Sequence, residues 1–486
     1  MPEALPPSSR RGSTRLRARS DQIRFRRALT LLLMTLVVPG SAQLVCGDRR
    51  VGRLALRVWA GVGVGIAVLA LMSAVSSGVA LWLATSPVVL LLLRTGLILA
   101  AIFWVLLLLD AWRLGDPPTL PQRRRLVLAG VSAALTGLLA GPLLFGAHVV
   151  AVQRDVLLEV FGQGDPADAQ DGRYNVLLLG GDSGDARWGL RPDSVTLASI
   201  DAETGRTVLF GLPRNLADVP FPAGSPMAAD FPTGFDCSGC YFNGVYTYAL
   251  DHPEMFPGAE NPGLAATTQA VEEITGLPVH YYAMVNMQGF QSLVNAVGGV
   301  TLRVRTPIAI GGIGGEVTGT IKPGIRHLDG YQTLWYARSR AYDDDYSRMG
   351  RQKCVMAAML KQLSPQQVLL HVQEIAAAGA ELLSTDIPHR ELNTFVALAL
   401  RARTQPITTV SFVPPMINTS DPDYDLMRSK VSAAIDKAEG DTSTEGDSGA
   451  ADNPADKQPA KPRPRDRRTD KAVEAANQSE DLGSAC

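Results

Sequence analysis

Two hydrophobic regimes divide the chain. Before residue 151, apolar residues run in long stretches at about 28–45, 58–83, 88–110 and 126–150. Crossing a ~30 Å hydrocarbon layer takes about 20 apolar residues, so the last three predict transmembrane helices. The first is short and broken by Pro39, Gly40, Ser41 and Gln43, which predicts a re-entrant or interfacial hairpin. After about residue 171 the apolar residues come in strand-sized and helix-sized groups instead. Residues 174–180 (YNVLLLG) form an apolar run ending in glycine, the mark of a buried strand. Residues 194–201 (SVTLASID) alternate, and 207–213 (TVLFGLP) follow the turn residues Glu203, Thr204 and Gly205. The three read as adjacent antiparallel strands. The pattern then predicts a short helix over 287–297 closed by Gly298 and Gly299, a strand over 300–305 and a long helix over 345–362. Further helices fill 365–402, and a last strand covers 407–413.

Charge adds an orientation. The net charge of -1 hides eight arginines among residues 1–27. A basic head of this kind also suits nucleic acid, but an apolar run begins directly after it, so nucleic acid is not expected as a partner. Arginine recurs at Arg49, Arg50, Arg53 and Arg57, then at Arg113 and Arg123 to Arg125, while the link 84–87 has none. If 28–45 is re-entrant, every basic segment lies in the cytoplasm and only 84–87 lies outside. Three crossings then put the rest of the chain outside the cell. The expected organisation is a basic cytoplasmic segment (1–27), a membrane region (28–150), an extracytoplasmic α/β domain (171–436) and a tail (437–486). The tail is rich in Asp, Glu, Ser, Pro, Ala and Lys and holds almost no large apolar residue, so disorder is expected there.

Three polar clusters stand at the ends of the predicted elements: Asp182 and Ser183 with Arg191 to Ser194; Pro213, Arg214 and Asn215; and 336–352, with Arg338, Arg340, Asp345, Arg348, Arg351 and Gln352. Guanidinium forks hold phosphate oxygens in pairs, and carboxylates hold a hard divalent cation. Such a gathering suits phosphoryl chemistry, where arginines and a metal offset developing charge. A surface salt-bridge network is the plainer alternative.

These motifs, in order and spacing, resemble the LytR-CpsA-Psr (LCP) family. Its recurring pattern is a GSDSR-like strand end, RxDT, PRD, a KxNxAY-like stretch, a DALGGV-like helix end and RSRxxxxDxxRxxRQ. Here they stand as GGDSG (180–184), RPDS (191–194), PRN (213–215), FNGVYTYA (242–249), NAVGGV (295–300) and RSRAYDDDYSRMGRQ (338–352). The resemblance implies an α/β/α sandwich with a mixed, partly antiparallel central sheet and an apolar tunnel for a polyprenyl chain. It also implies a magnesium-dependent phosphotransferase that moves a polyprenyl-pyrophosphate-linked glycan onto peptidoglycan, at the cell membrane. By position, Asp182 and Asp193 resemble the magnesium-binding aspartates. Arg191, Arg214, Arg338 and Arg340 resemble the arginines of the pyrophosphate site, with Asp345 a base or orienting group. Arg348, Arg351 and Gln352 fall among the substrate contacts. Two departures stand out: Asn215 replaces an Asp, and Gly184 stands where an Arg recurs, so that one phosphate contact is either lost or supplied by Arg187.

A pyrophosphatase using water as acceptor, or a non-catalytic lipid-binding regulatory module, would use many of the same residues. Metal-type carboxylates beside the arginines argue against simple lipid holding. Cys237 and Cys240 lie in a Pro- and Gly-rich loop with no helix-opening context, so they read as a local disulfide rather than a redox motif. Structural zinc would need two further ligands at suitable spacing. Cys354, among apolar neighbours, is expected to be a buried free thiol.

Overall fold

The computed structural model describes residues 8–75, 77–161, 164–182, 191–312, 315–342, 344–362, 383–440, 477 and 481–482. The chain divides into two compact units, 1–155 and 156–486.

The first unit comprises α1 (Ser8–Val37), α2 (Ser41–Cys46), α3 (Arg49–Val75), α4 (Ser77–Thr85), α5 (Pro87–Leu114) and most of α6 (Gln122–Val160). Three segments, Arg49–Ser73, Pro87–Thr119 and Gln122–Leu158, are long and apolar enough to cross a membrane. They turn large apolar side chains outward, among them Val62, Leu92, Leu138 and Phe145. That is the reverse of a water-soluble helix and suits a hydrocarbon surrounding. The stretch 28–45 is not one of these segments. Its chain reverses at Gly40, whose φ is 89° and where a Cβ would meet the Gly52 carbonyl oxygen at 2.7 Å. Beyond the reversal Gln43 is buried, and its amide nitrogen donates to the Leu107 carbonyl and to Asp110, each at 3.1 Å.

The second unit is built on a six-stranded mixed sheet. Its strands are β1 (Arg173–Asp182), β2 (Arg191–Asp201), β3 (Thr207–Leu212), β4 (Tyr281–Asn286), β9 (Leu383–Thr385) and β10 (Thr408–Ser411), in the spatial order β10-β3-β2-β1-β4-β9. The first three strands are antiparallel as their pattern implies, while β4 joins β1 and β10 joins β3 in parallel. One face is covered by α7 (Pro226–Asp230), α8 (Phe242–Asp251), α9 (Pro262–Thr275) and a helix over Tyr424–Glu439. Leu177, Leu179, Leu197, Phe210 and Leu212 are buried against them, and a buried side chain of this size contributes about 1.5–3 kcal/mol. Over the other face lie α10 (Met287–Ala296), α11 (Gly330–Arg338) and α12 (Asp345–Gln362). These three also bury a second core with β5 (Val300–Val304), β6 (Ile308–Gly311), β7 (Val317–Ile321) and β8 (Gly324–Leu328), which pair as two short antiparallel ribbons. The result is three layers, helix on sheet on helix.

Four expectations change. Residues 363–382, within the predicted helices of 365–402, lie outside the described residues, and 383–385 are a strand. Among the described residues of that stretch, Leu392–Ala402 is the helix. The folded unit runs past 436: the helix over Tyr424–Glu439 is capped at one end by Asp423 and at the other by Gly440, whose φ is 86°. Most of the tail lies outside the described residues, but Asn477, Asp481 and Leu482 pack onto the unit. Finally, Cys354 is buried but disulfide-bonded, not a free thiol.

Candidate active site

The site opens where β1 and β2 separate. Gly180 pairs with Ser194 and Gly181 with Pro192, so Asp193 is the extra residue of a β-bulge. Bulges turn a side chain off its normal alternation, and here Asp193 turns toward Arg214, which stands just after β3. Packing at this point is tight: a Cβ on Gly180 would lie 3.1 Å from that of Ser194, which would have to give by a few tenths of an ångström. Asp182 and Arg191 are directly paired across the same ladder. Their side chains, and the whole of 183–190 with Gly184 and Arg187, lie outside the described residues.

Arg214 joins two carboxylates. Its Nη1 donates to Asp193 Oδ1 at 2.6 Å, and its Nε donates to Asp345 Oδ1 at 3.1 Å. Asp345 opens α12 and receives two more arginines: Arg348 Nη2 lies 3.1 Å from Oδ2 and Arg340 Nη1 lies 3.8 Å from Oδ1. Burial pushes the Asp193 carboxyl up, but the hydrogen bond and charge of Arg214, with Arg348 and Arg340 behind it, outweigh this and hold it below the usual carboxylate range. Burial likewise works against the charge of Arg214, and the two aspartates more than restore it. For Arg348 burial wins, against the pull of Asp345, and its affinity for the proton falls. Its Nε is buried with no partner among the described residues. A buried guanidinium donor without a partner is costly to keep, and an anion entering the site would satisfy it.

Helix geometry sorts the last motif. Arg348 and Gln352 are one turn apart and both line the cavity described below. Gln352 Oε1 accepts from the Ser194 hydroxyl at 3.2 Å. Arg351, three residues from Arg348, is placed elsewhere. It is buried, and its guanidinium donates to the Tyr336 carbonyl at 2.8 Å and to the Ser339 carbonyl. It therefore holds the end of α11 and does not line the cavity, in contrast to the phosphate contact expected of it. Since α11 extends through Arg338 and breaks at Ser339 (ψ 136°), Arg338 is its last helical residue. Arg338 lies over the Trp335 ring, 5.2 Å from its centroid, and donates to the Met287 sulfur. Arg340 follows the break at the rim, with its side chain 36% exposed. The close approach of α11 to α10 depends on glycine, because a Cβ on Gly330 would fall 2.1 Å from the Gln291 carbonyl oxygen.

Behind these polar groups lies a cavity of about 390 Å³ between the sheet and α10, α11 and α12. Its walls are Leu178, Ala283, Met284, Phe290, Leu293, Leu334, Val355, Met356 and Met359, and its mouth is Asp193, Ser194, Arg338, Arg340, Arg348 and Gln352. The arrangement can hold an anion at one end and an apolar chain at the other.

Among the described residues no three acidic, histidine or cysteine side chains gather into a metal cage. Magnesium commonly takes only one or two carboxylates, with waters and phosphate oxygens as its other ligands. The low proton affinity of Asp193 at the bulge fits that donor set. Asn215 does not join it: its amide donates to Thr419 Oγ1 at 3.0 Å, and Thr419 is itself bonded to the Tyr346 hydroxyl. Cys237 and Cys240 are bridged in the loop before α8, with Cα atoms 5.1 Å apart.

Sequence reasoning did not find β4, Asn286, Phe290 or Leu334. The available signal was helical spacing: Phe290 with Leu293, and Leu334 with Ala337, each repeat at one turn on cavity-facing helices. Lys353 was also passed over. It is buried beside Ser411 and Gln352, and burial pushes its ammonium down to about 8.

The family model described as the LytR_cpsA_psr family matches residues 149–433. "Biofilm regulatory protein A" of Streptococcus mutans is 27% identical over 235 residues, covering 46% of this chain and 53% of that protein. "Polyisoprenyl-teichoic acid–peptidoglycan teichoic acid transferase TagU" of Oceanobacillus iheyensis is 30% identical over 241 residues, covering 49% and 65%. The chain thus spans about half to two thirds of the length of these relatives. Among solved structures, that of B. subtilis TagV is 22% identical with a TM-score of 0.40, covering 56% of this chain and 99% of that one. One described as TagT bound to LI-WTA is 20% identical, also at 0.40, covering 57% and 94%. The family match covers more than half of the sequence, and the chain belongs to the LytR_cpsA_psr family.

Proposed function

We propose that this chain is a phosphotransferase that moves a glycan phosphate from a polyprenyl-pyrophosphate carrier to a hydroxyl of peptidoglycan. The observation that carries this reading is the pairing of an arginine–aspartate mouth with an apolar cavity of about 390 Å³. A pyrophosphate fits the first and an isoprenoid chain the second. Transferases acting on polyisoprenyl-teichoic acid and peptidoglycan are among the named relatives.

In the reaction, the acceptor oxygen attacks the phosphorus that bears the glycan. The bond from that phosphorus to the bridging oxygen breaks, polyprenyl phosphate departs with the electron pair, and the proton of the acceptor hydroxyl passes to water or to the departing phosphate. Arg214, Arg338, Arg340 and Arg348 oppose the charge that grows on the phosphoryl oxygens, which is where preorganised donors matter most. Asp345, bracketed by three arginines, holds those forks in place and is better suited to orienting than to taking a proton. Asp182 and Asp193 are the residues that would hold magnesium. The metal would supply charge neutralisation at the phosphates.

A radiolabelled lipid-linked glycan, incubated with and without peptidoglycan, tests the activity. Label fixed to peptidoglycan is expected. Release of labelled glycan phosphate regardless of acceptor would make the protein a hydrolase, and retention of intact substrate would make it a binding module.

We further propose that the three apolar segments anchor the protein with its α/β unit outside the cell, as the arginine distribution implies. Reporter fusions at residues 86, 118 and 170 should read outside, inside and outside. An outside signal at 118 with an inside signal at 170 would overturn this.

A further inference from the structure

The arginines before residue 126 converge on one end of the first unit. Arg27 Nη2 donates to the Cys46 sulfur at 3.5 Å, which ties α1 to the end of α2. A Cβ on Gly115, just after α5, would lie 2.8 Å from that of Ala28, and one on Gly47 would lie 2.9 Å from Leu114 Cδ1. Ala28, Ala42, Ala111 and Leu128 share one buried cluster, which brings the first turns of α6 to the same place. Exposed arginines of four helices therefore stand together, among them Arg24 and Arg27 of α1, Arg50 and Arg53 of α3, Arg113 of α5 and Arg125 of α6. Nearby acids leave them unpaired. Asp110 accepts from the Gln43 amide and Asp48 from the Arg50 backbone N–H, and no arginine of this end enters an ion pair among the described residues. Arg124 Nη1 is buried with no acceptor among them.

Apolar residues are interleaved with this charge. Ile23 beside Arg24, Leu54 beside Arg53 and Leu126 beside Arg125 are 61–65% exposed. Trp59 lies two residues beyond Arg57, and Trp112 one before Arg113, where charge gives way to the apolar surface of α3 and α5. Tryptophan favours the depth of lipid headgroups. Unpaired guanidinium groups gathered at that depth repel one another, and phosphate oxygens take their forks in pairs. An acidic protein or a nucleic acid would neutralise the arginines but leave Ile23, Leu54 and Leu126 in water. A phospholipid covers both kinds of surface. We propose that this end of the membrane unit is a binding surface for anionic phospholipids, whose headgroups pair with the arginines while their acyl chains cover the interleaved apolar residues. This surface is independent of the reaction proposed above.

The full-length protein, reconstituted in phosphatidylcholine bilayers, is probed with trace spin-labelled phosphatidylglycerol or phosphatidylcholine. Electron paramagnetic resonance then reports the label held at the protein surface. Phosphatidylglycerol should associate about threefold more strongly than phosphatidylcholine at low salt, and about equally in 1 M salt, where the screening length is ~3 Å. Arg24→Gln, Arg27→Gln, Arg50→Gln and Arg53→Gln combined should abolish the preference. Lys at the same positions, which keeps the charge, should retain at least about half of it. If the combined Gln variant does not insert, Arg50→Gln with Arg53→Gln decides, and should lower the preference by about a third. Equal association of the two lipids with the parent protein overturns the proposal, and so does a preference that survives the Gln substitutions unchanged. Displacement of phosphatidylglycerol by polyglutamate at physiological salt would make an acidic protein the occupant and overturns the lipid.

Discussion

At the mouth of the cavity Asp193 and Arg348 are tied through Arg214 and Asp345, which stand beside its lining, by ion pairs of 2.6–3.1 Å, whereas its walls at Phe290, Leu334 and Met359 present only carbon and sulfur. The two ends respond to opposite forces. Ion pairs at the mouth are half-screened and gain strength when a substrate excludes water, and they fix orientation. The inner wall has no direction to impose and gains in proportion to the apolar area it covers. A ligand that satisfies both must itself be amphiphilic. Damage to the mouth should therefore act mainly on the rate of the chemical step, and damage to the wall mainly on affinity.

The largest effect is expected from Arg214→Ala. It leaves Asp193 and Asp345 without their shared cation and removes a donor from the phosphoryl site, so transfer should fall about a thousandfold at saturating substrate. Arg340→Ala, which leaves the Arg214 pairs intact, should cost about a hundredfold, as loss of ~3 kcal/mol of charge stabilisation implies. Arg→Lys at either position should recover little, because the fork geometry is lost. Steady-state kinetics on the labelled substrate measures both, and a pure rise in KM would break the comparison from the polar side.

Phe290→Asp should do the converse. Its KM for a long-chain lipid substrate should rise at least tenfold with kcat within about threefold of the parent, and a short-chain analogue should show almost no difference. A fall in kcat alone would break the comparison from the apolar side.

A smaller effect is expected behind the site. Lys353 loses its proton near 8 in the folded chain and near about 10.4 in an unfolded one. Between these values the unfolded state binds more protons, so stability should rise with pH across that window. Denaturant midpoints from pH 7 to 10.5 should climb in the parent and stay flatter in Lys353→Met. Smallest of all is Arg401→Ala. Arg401 donates to the Glu203 carbonyl far from the cavity, and transfer should be nearly unchanged.

How legible these regions were in the sequence follows from the same contrast. The mouth is drawn from residues whose charge and spacing survive in one dimension, and Asp193, Arg214, Asp345, Arg348 and Gln352 do converge. Arg351 was misjudged because its three-residue spacing sets it about 60° to one side of Arg348 while Gln352 lies about 40° to the other, enough to face the end of α11 instead of the cavity. The antiparallel β1–β3 were legible from alternation and a turn. β4 was not, since its half-buried residues show no clear alternation and its partner β1 lies a hundred residues earlier. The cavity wall was hardest, because Phe290, Leu334 and Met359 look like any core residues until three helices place them around one space. The tail's composition predicts disorder, and nothing local marks Leu482 as buried; only the β10 edge and the cluster beside it explain that.

The most direct test of the central claim is a structure of the protein with undecaprenyl phosphate bound. The phosphate should lie within hydrogen-bonding distance of the guanidinium groups of Arg214, Arg340 and Arg348, with the chain running inward between Leu178, Phe290 and Met359. A lipid that occupies another surface, or one whose phosphate points away from those arginines, would contradict it.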